Sequence, residues 1–163
     1  MKRLIIVWHS RTGAARAMAQ AAARGAGAEA GVETLMVRAE DAGPEDLLAA
    51  DGYLFACPEN LAALSGAMKE FFDRNYYPVL DRLNGRPYGL LIAAGSDGTG
   101  AARQLARIAL GWRLKPVADP LIVCTRAQSP EEILAAKTLT PVELAPCEDL
   151  GRAMAAGLAM GVF

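Results

Sequence analysis

The stretch Leu4-Ile5-Ile6-Val7-Trp8-His9-Ser10-Arg11-Thr12-Gly13-Ala14-Ala15 constrains this chain more than any other. Its first five residues are apolar, two Ile and one Val among them, the pattern of a strand buried on both faces. From Gly13 onward Ala14, Ala15, Ala17, Met18, Ala19 and Ala22 favour a helix with an apolar stripe. The joint is therefore a strand-to-helix turn built from hydroxyls and a glycine. Free backbone N–H groups and the positive end of the helix dipole make such a turn an anion site, above all for phosphate. Ser10 and Thr12 add hydroxyl donors, and Gly13 lets the backbone approach closely. A plainer reading has Thr12 simply capping the helix. The turn lacks the Gly-Lys-Ser/Thr ending of a Walker loop and is not a dinucleotide fingerprint. A Gly-x-Gly-x-x-Ala string does occur at Gly25–Ala30, but between a helix end and a strand, which is the wrong context.

Strand and helix patterns alternate along the rest of the chain. Apolar runs predict strands at Leu4–Trp8, Val32–Val37, Tyr53–Cys57, Tyr88–Ala94 and Leu121–Cys124. Helical stretches are expected at Gly13–Arg24, Gly66–Arg74 and Thr99–Leu110, with a short extra turn at Pro44. Ser129-Pro130-Glu131-Glu132 is a helix start, and a last helix is expected over Glu148–Met160, with Leu150, Met154 and Leu158 on one face. Leu64, Met68, Phe71 and Phe72 give the third helix a core face, so its Met and aromatic stripe reads as packing. Such alternation implies a parallel sheet with helices on both faces, and ligands beyond the carboxyl ends of its strands. Chemistry is therefore expected after strands one, three and four.

A chain of 163 residues is read as one domain, 1–163, with a substantial core. Its net charge of -1 and pI near 5.9 offer no basic surplus for nucleic acid and no acidic excess for docking to basic partners. No apolar run reaches the ~18 residues of a membrane span, and Met1-Lys2-Arg3 leads into no cleavage-like site, so a soluble, cytoplasmic protein is expected. Cys57, Cys124 and Cys147 are odd in number and widely spaced, against both a disulfide framework and structural zinc, and one His with scattered carboxylates suggests no metal site.

Two further blocks carry a resemblance. Asp51-Gly52-Tyr53-Leu54-Phe55-Ala56-Cys57-Pro58 is followed by Ser65-Gly66-x-Met68-Lys69-x-Phe71-Phe72-Asp73-Arg74, and Gly95–Gly100 holds three glycines in six residues. Together with Ser-x-Thr-Gly after strand one, these blocks resemble the flavodoxin-like family, closest to its FMN-binding NAD(P)H-dependent oxidoreductases and quinone reductases. The resemblance implies an α/β three-layer sandwich with a five-stranded parallel sheet in order 2-1-3-4-5 and FMN at the switch point. It places the FMN phosphate in the loop of Ser10, Arg11, Thr12, Gly13, Ala14 and Ala15. It places the isoalloxazine ring against Pro58, Glu59, Asn60 and Leu61 on one side and Gly95, Ser96, Asp97 and Gly98 on the other.

The chain also departs from the family. Ala15 stands where another hydroxyl is usual, and the two ring loops contain no aromatic residue. Glu59 either accepts a hydrogen bond from the ring N–H or points to solvent, and Asp97 poses the same question. His9 is read as a strand-end packing or hydrogen-bonding residue rather than a catalyst. Tyr76 and Tyr77, expected after the third helix, either line the open flavin face, form an oligomer contact, or lie free on the surface. The resemblance implies electron transfer from NADH or NADPH through FMN to a small acceptor such as a quinone, in a homo-oligomer. No acid–base residue is required, because the cofactor carries the reduction. Two other readings stay open: an electron carrier without turnover of its own, against which the neutral charge and missing aromatics speak, and a flavin-free binding domain on the same fold.

Overall fold

The computed structural model describes residues 1–163. In chain order the elements are β1 Lys2–Trp8, α1 Ala14–Ala26, β2 Val32–Arg38, α2 Pro44–Ala49, β3 Gly52–Asn60, β4 Ala63–Leu64 and α3 Gly66–Val79. There follow β5 Pro87–Ala94, α4 Thr99–Gly111, β6 Lys115–Pro116, β7 Leu121–Cys124, α5 Pro130–Leu134 and α6 Pro141–Met160. The long strands run in the order β2-β1-β3-β5, and β7 adds a parallel edge on β5. That is the expected 2-1-3-4-5 order counted over the five long strands. β6 pairs with the start of β5 on the same edge, so β6 and β7 form one interrupted edge strand. β4 is the single antiparallel element and folds back on the end of β3.

Alternation along β1 assigns its two faces. Ile5 and Val7 join Tyr53, Phe55, Cys57, Leu90 and Ile92 in a core covered by α2, α3 and α4. Leu4 and Ile6 join Leu54, Ala56, Leu91 and Ala93 in a second core covered by α1 and α6. Phe55 centres the first, with ring centroids 5.1 Å from Phe72 and 6.2 Å from Phe71, and Phe72 lies 5.2 Å from Trp112. Burial of each such ring contributes roughly 1.5–3 kcal/mol. The third helix's stripe is core, as its spacing indicates.

The second core depends on two glycines. A Cβ on Gly25 would meet the Glu148 carbonyl oxygen at 1.9 Å, and one on Gly151 would meet that of Ala22 at 1.9 Å. α1 and α6 therefore cross with backbone against backbone. Gly25, set aside as part of a misplaced nucleotide fingerprint, is a helix-packing residue.

Three element boundaries differ from expectation. The last helix begins at Pro141, seven residues before Glu148, on a second Ser/Thr-Pro-x-Glu start: Thr140 accepts from the Glu143 amide and Glu143 accepts from the Thr140 amide. Pro146 sits within this helix, a residue that ordinarily ends one. The third helix runs to Val79, so Tyr76 and Tyr77 lie inside it; Tyr76 stacks on Trp112 at 6.0 Å while Tyr77 is exposed. β3 continues through Pro58, Glu59 and Asn60, which were expected to be loop. No helix is long and apolar enough to cross a membrane.

Candidate functional site

At the carboxyl end of the sheet, the loop after β1 meets the ends of β3 and β5. Gly13 is the N-cap of α1, with φ 107° and no side chain reaching the helix amides. Thr12 therefore does not cap the helix. Its carbonyl accepts instead from the Lys137 amide at 2.7 Å. Ser10 Oγ accepts from the Gly13 amide at 3.1 Å, which closes the turn. The amides of Ala14, Ala15 and Arg16 have no acceptor in the protein. An α-helix leaves its first amides orphaned, and these three remain free to hold an anion.

The other glycine loop is built in the same way but filled. Gly98, φ 89°, is the N-cap of α4. Glu59 reaches across from β3, its Oε1 accepting from the Gly98 amide at 2.9 Å and its Oε2 from the Ala101 amide at 3.0 Å. Asp97 Oδ1 takes the Thr99 amide and hydroxyl, and these bonds hold the Asp97 carboxyl below its usual range. Both oxygens of Glu59 are thus committed to α4. It neither points to solvent nor stands free, and the negative charge beside the cleft is matched by helix amides.

Of the residues expected around the flavin, Ser10, Arg11, Thr12, Ala14 and Ala15 line one cleft together with Pro58, Glu59, Asn60 and Gly95. Gly13 forms the turn beneath. Leu61, Ser96, Asp97 and Gly98 do not line it; Gly98 and Asp97 belong to the start of α4, and Leu61 projects fully into solvent. Thr125, Ala127, Ile133 and Lys137, from the segment after β7, line the cleft and were not anticipated. The rule that ligands sit beyond strand ends applies to the fifth strand as well as to the first, third and fourth, and would have pointed to Thr125 and Ala127. The Lys137 ammonium is committed to the carbonyls of Glu132, Ile133 and Ala135.

The rim is strained. Leu61 (φ 51°) and Ala62 (φ 63°) form the two-residue turn between β3 and β4, and Arg126 (φ 61°) follows β7. Turns with two positive φ values strongly favour Asn-Gly, and a side chain in this region costs about 1–2 kcal/mol per residue. Three of the five positive-φ residues other than glycine thus gather at this one edge, as strained backbone does at functional sites.

His9 lies under the loop. Its Nδ1 is 2.8 Å from the Oγ of Ser65, which is fully buried. Burial lowers the imidazole below its ordinary value of 6.5; Glu40 opposes the shift, and Arg11 and Arg38 add to it. Cys57, buried beside Ser65, has its thiol pushed up to about 12 by desolvation. It is a packing residue and not a nucleophile.

The sequence profile of the NADPH-dependent FMN reductase family matches residues 42–125, just over half of the chain. The chain belongs to this family. A curated relative, a flavodoxin of Aquifex aeolicus (strain VF5), is 33% identical over 108 residues. That match takes in 65% of this chain, which spans about 56% of the relative's length. Among solved structures, a flavodoxin from the domain Archaea superposes with TM-score 0.78 at 18% identity, over 96% of this chain and 98% of the other. The flavodoxin, WrbA-like protein from Agrobacterium tumefaciens gives 0.77 at 18% identity over 99% of both chains. The rubredoxin oxygen:oxidoreductase of Desulfovibrio gigas contains a similar unit: 99% of this chain covers 37% of it, with TM-score 0.78. The flavodoxin-like fold is therefore shared by this NADPH-dependent FMN reductase family member and by proteins of several activities.

Proposed function

We propose that this protein is an FMN-dependent oxidoreductase that takes electrons from NAD(P)H and passes them to a quinone or a similar small acceptor. One observation carries the proposal: the first amides of α1 have no acceptor in the protein, and two of the residues that carry them, Ala14 and Ala15, line the same cleft as Pro58–Asn60 and Gly95. A phosphate fits this set, because the donors are backbone groups fixed by a glycine turn, and Arg11 adds charge in place of the hydroxyl absent at position 15. Of the equivalent amides of α4, Thr99 and Ala101 are already taken by Asp97 and Glu59, which leaves α1 as the phosphate end.

When bound, FMN supplies the hydride acceptor and electron donor. The chain binds and orients it. Ser10 holds the turn closed through the Gly13 amide. Glu59 ties β3 to α4 and so fixes the spacing of the two loops that would face the ring. The strained Leu61-Ala62 turn holds the Leu61 side chain outward, where it can cover one edge of the ring in place of an aromatic residue. No acid–base side chain is needed.

The relative named flavodoxin favours a second reading, an electron carrier. Such carriers dock by charge, and the net charge of -1 gives this chain little to dock with. Exposed Tyr77 on α3 and Leu110 on α4 support the further proposal that the chain self-associates through these helices. Light scattering at micromolar concentration should show a dimer or tetramer, and monomer alone would end that part.

Purification without added flavin, denaturation and identification of the released chromophore test the main proposal. FMN is expected. NADPH consumption that rises on adding a quinone supports the reductase. Bound FMN without NAD(P)H turnover would leave the carrier, and no bound or bindable flavin would leave only a binding domain.

A further inference from the structure

A second cleft, about 250 Å³ in volume, opens on the β2 side of the same loop and shares Ser10 and Arg11 with the first. Trp8 and Arg38 are register partners at the ends of β1 and β2, so their side chains leave the same face of the sheet. α1 covers that face and carries the Arg16 guanidinium over the Trp8 ring, 5.7 Å from its centroid. Arg11 completes the set. Three guanidiniums thus face one carboxylate, Glu40, in a chain whose net charge is -1.

These arginines are poorly paired. Arg11 and Arg16 contact no carboxylate, and Arg38 reaches Glu40 only at 3.6 Å, with both side chains well exposed. By contrast Arg3 lies 2.7 Å from Glu33, and Arg152 meets Asp149 and Glu148 at 2.7 and 3.2 Å. Clustered unpaired guanidiniums repel one another and are resolved by a multivalent anion. The planar fork of Arg suits phosphate in particular. A guanidinium over an indole also offers a flat cationic face, which a purine ring can stack against.

We propose that this cleft is a second phosphate site, holding the adenosine-side phosphate of a dinucleotide whose other end lies in the flavin cleft. It rests on the reading of the first cleft as the FMN site. Two dinucleotides bring an adenosine-side phosphate that their simpler counterparts lack: NADPH its 2′-phosphate, absent from NADH, and FAD the second phosphate of its pyrophosphate, absent from FMN.

Tryptophan fluorescence of the purified protein, titrated with 2′,5′-ADP and with 5′-AMP, reads the cleft directly. 2′,5′-ADP should bind the FMN-loaded protein at least tenfold more tightly than 5′-AMP. Arg38→Gln and Arg16→Gln should each remove most of that preference, and should lower the NADPH-over-NADH ratio of kcat/KM with it. Arg24→Gln, which removes a surface arginine of the same helix that does not line the cleft, is the control for bulk charge. If FMN-loaded protein ignores 2′,5′-ADP but flavin-depleted protein takes FAD tenfold more tightly than FMN, with the excess lost in Arg38→Gln, the dinucleotide is FAD. If no preference depends on Arg38 or Arg16, or if Arg24→Gln matches them, the proposal is overturned while FMN binding still stands. Failure to bind any flavin removes the first reading instead, and the 2′,5′-ADP titration then decides the cleft alone.

Discussion

The N-termini of α1 and α4 are built alike and used differently. Each follows a strand that ends at the same edge of the sheet, and each starts at a glycine with φ near 100° (107° at Gly13, 89° at Gly98). At α4 the amides of Gly98, Thr99 and Ala101 are consumed by Glu59 and Asp97. At α1 only the Gly13 amide is consumed, by Ser10 Oγ, and three amides stay open. A helix start is thus not yet an anion site. What decides is whether the chain supplies its own anion, and at α4 it brings one from a strand 39 residues earlier in sequence.

The glycines break the comparison most directly. A Cβ at Gly98 would lie 2.5 Å from Ile122 Cγ2, whereas one at Gly13 would find only the Lys137 carbonyl at 3.4 Å. Gly98→Val combines a disfavoured φ with overpacking and should cost about 3 kcal/mol or more in urea unfolding. Gly13→Ala should cost roughly 1–2 kcal/mol of stability. Its larger effect should be on FMN, with affinity down at least tenfold. Equal flavin loss in both variants would mean that the phosphate does not distinguish the two helices.

The carboxylate that fills α4 comes next. Hydrogen bonds to a charged group contribute about 1.5–3 kcal/mol, and Glu59 is partly exposed, so Glu59→Ala should lose about 2 kcal/mol. Glu59→Gln keeps one acceptor and should lose about half as much. A wild-type urea midpoint in Glu59→Ala would show that α4 does not need its cap.

This contrast marks how far the sequence could be read. Periodicity located the five long strands, and the Ser10–Gly13 turn declared itself through its own residues. Gly98 and Gly13 look the same in sequence, though, because the partner that separates them is remote. The commitment of Glu59 to α4 depends on β3 running three residues past Cys57, and a pattern of burial cannot show where a strand stops once it reaches solvent. Thr125 and Ala127 enter the cleft only because β7 pairs with β5 at Ala94. The early start of α6 was legible in Thr140-Pro141-Val142-Glu143, but the interior Pro146 conceals it.

The turn at Leu61-Ala62 offers a smaller effect that runs the other way. Both residues hold positive φ, where Asn-Gly is favoured. Replacing the pair with Asn-Gly should stabilise the fold by about 1–2 kcal/mol and weaken FMN binding through loss of the Leu61 side chain. If thermal stability rises and flavin affinity does not fall, the strain has no role at the cleft.

The smallest effect sharpens the comparison from the α1 side, through pH. Burial, with Arg11 and Arg38, lowers the folded-state value of His9 below 6.5, against the pull of Glu40. The unfolded chain therefore binds a proton more readily than the folded one between the two values, and stability rises with pH across that window. The contribution of His9 is fully present above pH 6.5 and is lost as pH falls through the lowered folded value. Wild type should lose stability between pH 7.5 and 5.5 in urea unfolding, and His9→Gln should lose less while keeping a side chain that can bond Ser65. A phosphate held by the open amides of α1 would offset the field of Arg11 and Arg38 and bring His9 back toward its ordinary value. The flavin-loaded protein should then show a shallower pH dependence than the flavin-free protein, and α4, already filled, contributes nothing to that difference. Identical slopes with and without FMN would place the phosphate too far from His9 to belong to this loop.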